Sequence, residues 1–280
     1  MKASFLLTNC GVYDKIFLKK TSLFFCGKDQ KMNLFLTLCF LFAVGSFFGW
    51  ILELFFRRIF TAKKWINPGF LVGPCLPLYG FGLCTLYLLS SIDLSFVENT
   101  ILREIFRVLI IGLALTIIEY LAGKIFILGM NVKLWDYSQR WGNLEGIICP
   151  LFSFFWTVLG ALYLFFLHPT ISNATADFLT HPFLFFFLGL FFGVLCVDFG
   201  YSVQLISKIR AFAKENHLIV KLEELKGNLQ ERIQKNKFFH FVFSLHDTHP
   251  IRENLKDYAE RIAQKAKQLT DRKNKKDKLS

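Results

Sequence analysis

Five apolar stretches, each about as long as a membrane is thick, constrain the fold of this chain more than any other feature. A helix rises about 1.5 Å per residue, so about 20 apolar residues cross hydrocarbon about 30 Å thick. The stretches lie near 33–56, 69–91, 105–128, 146–167 and 183–206. Charged residues make up 19% of the chain, below the roughly 25% of a soluble domain, and Phe alone fills 35 positions. The expected fold class is therefore all-α: a polytopic helical membrane protein with about five transmembrane helices and a cytoplasmic helical tail. Residues 1–31 form a basic N-terminal extension, 32–206 the membrane domain and 207–280 the basic tail.

The distribution of Lys and Arg sets the expected orientation. Arg57, Arg58, Lys63 and Lys64 lie between the first two stretches, and the tail from Ser207 holds 18 Lys/Arg against 10 Asp/Glu. Five crossings put both regions on one side, which places the C-terminus in the cytoplasm of an inner-membrane protein. Residues 1–31 carry six Lys and two Asp, a poor fit to an external N-terminus. Their apolar pieces are too short to cross, and no signal peptide is evident. The expectation is a translation start at Met32; the rival is a weak apolar element that keeps this segment inside.

The polar residues of the stretches gather toward the same side. Glu53 lies three residues before the end of the first, Glu119 past the middle of the third and Asp198 at a similar depth in the fifth. Charge at such depth is costly and usually functional. Plainer roles compete. Glu53 is four residues from Arg57 and suits an interfacial ion pair, and Asp198 suits a hydrogen bond to a neighbouring helix. Glu119, flanked by Ile117, Ile118, Tyr120 and Leu121, points more firmly to a buried role. Lys124 is one position off an i+4 partner and suits a snorkelling side chain.

Residues 67–82 hold three of the seven prolines and four of the eighteen glycines. Pro74 and Pro77 each remove a donor and crowd the preceding turn, so a regular helix should not continue through them. Two readings stay open: a broken helix exposing backbone groups to a wet cavity, or a kinked helix in tight contact with its neighbours. The third connection adds Trp135, Asp136 and Ser138, then Trp141 and Asn143. The tryptophans suit an interfacial belt; Asp136, Ser138 and Asn143 would line a cytoplasm-facing vestibule with Glu119.

These residues resemble a known family. Gly49-Trp50-x-x-Glu53, Asn67-Pro68-Gly69-Phe70-x-x-Gly73-Pro74-x-x-Pro77-x-Tyr79-Gly80-Phe81-Gly82, Glu119-Tyr120-x-x-Gly123, Trp135-Asp136-Tyr137-Ser138 and Asn143-x-x-Gly146 are similar to motifs of the bacterial "putative ABC-transporter type IV" membrane family. The resemblance covers roughly 35–165. It implies a permease-like membrane subunit and puts Gly73 and Tyr79 among the pocket candidates. The family's usual Asn-Arg-Gly opening reads Asn67-Pro68-Gly69 here, so a cation commonly present in the family is missing at that place.

Beyond the fifth stretch, Leu218, Leu222, Leu225 and Leu229, then Ile251, Leu255, Ile262, Ala266 and Leu269, form narrow apolar stripes on charged helices. His246 and His249 stand between them at a spacing that hints only weakly at metal. Residues 270–280 read as a charged, disordered end. The seven cysteines lack any C-x-x-C pair and read as small buried hydrophobes. With no G-x-x-x-x-G-K-[ST] loop, the chain needs a separate ATPase subunit for any ATP-driven work.

The resulting expectation is a permease-like protein, not itself an enzyme, embedded in the lipid bilayer as a homo-oligomer, with no cofactor, metal or nucleic acid. Its pocket candidates are Glu53, Asn67, Gly73, Pro74, Pro77, Tyr79, Glu119, Trp135, Asp136, Ser138 and Asn143. A membrane-embedded enzyme using Glu or Asp as acid and base, or a non-transporting scaffold, are the alternatives.

Overall fold

The structure is a computed structural model that describes residues 28–61, 65–215, 219–222, 224–226, 255, 259–261 and 264. Helix α1 runs Lys28–Phe56 and ends in a wide turn, Arg57–Thr61. After an irregular loop come α2, Pro77–Ser90, and α3, Thr100–Met130. Strand β1, Val132–Lys133, precedes α4, Pro150–Thr180, and α5, Leu184–Glu215. A two-residue strand β2, Val220–Lys221, then pairs in parallel with β1. Among the described residues, α1, α3, α4 and α5 are long and apolar enough to cross a membrane, and α2 is shorter.

The second stretch is thus not one crossing helix. Residues 69–76 are irregular, and α2 starts at Pro77, which occupies the first turn where a missing N–H costs nothing. The remaining 14 residues rise only about 21 Å. The fourth helix is longer than its apolar stretch and continues to Thr180, leaving a connection of only three residues before α5. It widens over Tyr163–Leu167, where Pro169 lacks the N–H that would bond the carbonyl four residues back. Asn99 begins α3 by accepting from the amides of Ile101 and Leu102. Asn131 ends it in the left-handed region at φ 53°.

Side chains are sorted for lipid. On α3, Ile105, Leu109, Leu113, Ile117, Leu121 and Ile125 follow one another at four-residue steps and are all exposed. The opposite face buries Ile111, Gly112, Leu115, Glu119 and Gly123. Small residues let the helices meet along such faces. A Cβ on Gly49 would lie 2.2 Å from that of Tyr79, and one on Gly80 would lie 2.2 Å from Ser46 Oγ and 2.8 Å from the Phe42 ring. On the α3–α4 contact, a Cβ on Gly112 would lie 2.2 Å from Thr157 Oγ1.

The described residues beyond α5 join this body. Leu205, Ile206, Ile209 and Phe212 of α5 cluster with Phe70 and Leu71 of the loop, Val132 of β1, and Val220, Leu222, Leu225 and Leu255 beyond α5. Helix α5 itself runs without interruption across the 206/207 boundary. Leu218, Leu229, Ile251, Ile262, Ala266, Leu269, His246, His249, the 270–280 end and the segment before Lys28 lie outside the described residues.

Replacing Gly80 with Val should separate α1 from α2, because both nearest atoms belong to packed neighbours. The expected cost is about 1–3 kcal/mol, read as a lowered unfolding temperature in detergent, with Gly189→Val, where the space is open, as the near-neutral control.

Candidate functional site

The site begins with loop 65–76, whose backbone leaves helical bonding and must find other partners. Ile66, Asn67, Leu71, Val72, Cys75 and Leu76 are buried. Trp50 Nε1 donates to Asn67 Oδ1 at 2.7 Å, and Asn67 Nδ2 donates to the carbonyls of Leu71 at 3.3 Å and Val72 at 2.8 Å. The Asn67 side chain therefore closes the loop on itself and ties it to α1.

Two charges hold the rest of the loop. Asp198 of α5 accepts from Val72 N at 3.0 Å and Gly73 N at 2.9 Å, and the Ser202 hydroxyl donates to it at 3.1 Å. A Cβ on Gly73 would lie 2.9 Å from Asp198 Oδ2, so a side chain here would push the carboxylate from its present place. From beyond α5, the buried Lys226 donates to the carbonyls of Asn67 at 3.1 Å and Gly69 at 2.9 Å. An acid thus caps two amides and a cation two carbonyls. Pro74 lies in the irregular segment and Pro77 opens α2.

Beside the loop, Glu53 accepts from Arg57 Nε at 2.8 Å and from the Tyr79 hydroxyl at 2.9 Å. The ion-pair reading of Glu53 therefore describes one of its two oxygens, and Tyr79 carries the contact to α2. The Tyr79 ring lies 5.4 Å from that of Trp156. Trp156 Nε1 donates to Glu119 Oε2 at 2.9 Å, and the Tyr137 hydroxyl donates to Glu119 Oε1 at 3.2 Å. Glu119 is only 3% exposed, so its carboxyl faces the protein and not lipid. Arg57, Glu53, Tyr79, Trp156, Glu119 and Tyr137 form one run through α1, α2, α4, α3 and the third connection.

Trp156 and Tyr137 were not among the residues singled out from the sequence. A signal existed for both: an indole N–H at membrane depth needs an acceptor, and Tyr137 sits within Trp135-Asp136-Tyr137-Ser138. Tyr137 also stacks on Phe152 at 4.3 Å. Burial, then the charges of Glu119 and Glu53, hold its phenol well above the ordinary value, so the hydroxyl stays protonated.

The remaining candidates do not reach Glu119. Asp136 is held by Lys221 at 2.7 Å, Lys133 at 3.3 Å, the amide of Ser138 at 3.2 Å and the Ser138 hydroxyl. Burial alone would raise its carboxyl, but the bonds from Lys221 and Ser138 outweigh it and hold the group well below the usual carboxylate range. Asn143 donates to the carbonyls of Ser138 at 3.2 Å and Arg140 at 2.8 Å and accepts from Gly146 N at 3.0 Å. Trp135 donates to the Ile147 carbonyl at 2.8 Å, while Trp141 is 88% exposed. Lys124 bridges to Glu145 at 2.6 Å. In this connection Asp136, Ser138 and Asn143 fix the turns, and Tyr137 alone among its side chains bonds Glu119.

Among the described residues no group of three or more His, Cys, Asp or Glu is arranged for a metal ion, and the five described cysteines are free, Cys196 being exposed.

The family described as "Putative ABC-transporter type IV" matches residues 40–203. The chain belongs to this family. The matched stretch is longer than the motifs alone suggest and carries the loop, both glutamates, Trp156 and Asp198; Lys221 and Lys226 lie outside it. No curated protein and no solved structure matches the chain.

Removal of the Asp198 carboxylate leaves the amides of Val72 and Gly73 without an acceptor. Asp198→Ala should cost about 1–3 kcal/mol per orphaned amide, seen as faster proteolysis within 67–76 while α3 and α4 stay protected. Asp136 contributes stability at every pH above its ordinary value of about 3.9, and that contribution is lost only as pH falls through its lower folded value. Amide exchange over 132–138, corrected for intrinsic rate, should stay slow from neutral pH down to about 4 and quicken below it. Lys221→Ala should quicken it already at neutral pH.

Proposed function

We propose that the protein is a permease-like subunit of a membrane transporter, with its polar site near the cytoplasmic leaflet of the inner membrane. The observation that carries this reading is the run from Arg57 to Tyr137, which gathers two glutamates from different helices beside a non-helical loop. Polar groups are kept at membrane depth when a path or a binding site uses them. Discontinuous helices with free backbone groups suit that use. Membership of a family named for ABC-type transport points the same way.

In this reading Glu119 and Glu53 supply the charge of the site, and Tyr79, Trp156 and Tyr137 orient it. The loop from Asn67 to Pro77 supplies backbone donors and acceptors when it moves. The described helices are few for a conduit, so the working unit is a homo-oligomer in the bilayer. A separate ATPase subunit docks on the cytoplasmic side, where the basic first connection and the basic tail lie. The chain performs no chemistry of its own and takes no cofactor.

Copurification from native membranes in mild detergent should return an ATPase subunit bearing a phosphate-binding loop, whose hydrolysis rate falls at least several-fold in a complex carrying Glu119→Gln. Recovery of the intact chain free of any ATPase, at full solubilised yield, overturns the proposal.

A further inference from the structure

We propose that Glu119 is a proton-binding site whose proton sits on Oε1, shared with Tyr137. The geometry at the carboxyl leads there in three steps.

First, among the described residues no cation meets it. The hydrogen bonds of Glu119 come from two neutral donors, Trp156 and Tyr137. The charged groups around it are engaged elsewhere. Arg57, directly after α1, is bound to Glu53, Lys124 of α3 turns out to Glu145, and Lys133 and Lys221 hold Asp136. Asp198 of α5 holds the loop amides, and α2 faces the network with Tyr79. Glu53, the other acid nearby, adds charge of the same sign. A carboxylate that is 3% exposed and unpaired is costly, and a proton is the smallest species that removes the cost.

Second, the two donors differ in kind. An indole N–H can only donate, so Oε2 facing Trp156 must remain an acceptor in either charge state. A phenol both donates and accepts. When Glu119 is charged, Tyr137 donates to Oε1 across the 3.2 Å contact. When a proton binds Oε1, the Tyr137 hydroxyl rotates, accepts from the new O–H and turns its own hydrogen away. One proton is taken from water and none leaves the phenol, so the site gains one charge.

Third, Tyr137 links the carboxyl to the tail side. It follows Asp136, which binds Lys221 of β2, and its amide donates to the Gly146 carbonyl at 2.8 Å. A change in what its hydroxyl bonds is therefore felt in the connection that pairs with the tail. The permease reading supplies only the purpose of this proton, and the site itself can be tested without transport.

Difference infrared spectroscopy of the full chain in lipid nanodiscs, titrated between about pH 4 and about pH 9, reads the carboxyl directly. A protonated-carboxyl band should appear as pH falls, vanish in Glu119→Gln and persist in Glu53→Gln. Trp156→Phe removes a donor that serves the charged state best, so the midpoint should rise by about one unit. Tyr137→Phe removes a partner of both states and should move it less. If Glu119→Gln does not assemble, Glu119→Asp keeps the acid, and its band must persist with a displaced midpoint. A spectrum in which no titrating band depends on residue 119, or a midpoint indifferent to Trp156→Phe, overturns the proton site. The ATPase copurification decides the permease reading separately.

Discussion

Backbone that leaves a helix inside a membrane protein has no water to fall back on, and that constraint organises this structure. Over residues 65–76 the chain gives up helical bonding, and several of its amides and carbonyls are met by side chains from other parts of the chain. Asn67 closes the loop locally, Asp198 takes two amides and Lys226 takes two carbonyls. The loop's shape therefore depends on α5 and on the segment beyond it. This explains why α5 runs far past its apolar stretch and why the tail packs into the same cluster as Phe70 and Leu71.

The same economy applies to side chains. Each acid in the Glu53–Glu119 run is satisfied by an aromatic donor or by Arg57, and every aromatic bond joins two different elements. Aromatic donors suit this setting because they bring apolar area together with a single polar tip. They also leave the run short of positive charge, since Arg57 is its only described cation and is committed to Glu53. Polar connectivity and charge imbalance thus come from one set of residues, and a loop held by ionic caps lies beside them.

How much of this could be read beforehand differs by residue. The apolar stretches and the break at Pro74 and Pro77 follow from hydropathy and from proline's missing donor, both local properties. Glu119 could be singled out because an acid among Ile117, Ile118 and Leu121 has no local partner. Its actual partners could not, since Tyr137 and Trp156 lie 18 and 37 residues away. Asp136, Ser138 and Asn143 have the composition of a vestibule, yet their short spacing lets them satisfy one another and the turns they form. Lys226 carries no local sign of burial at all; it reads as one more cation in a basic tail.

The sequence by itself determined that this chain is a bundle of membrane helices with one interrupted segment, because lipid thickness and proline geometry act on contiguous residues. Only the tertiary structure decided which acid meets which donor, that α2 is a short helix behind a clamped loop, and that Val220, Leu222 and Leu225 pack against α5 and the loop. Those outcomes rest on hydrogen bonds between residues up to 159 positions apart. Partner choice at such separations is set by how helices pack, and no local pattern encodes it.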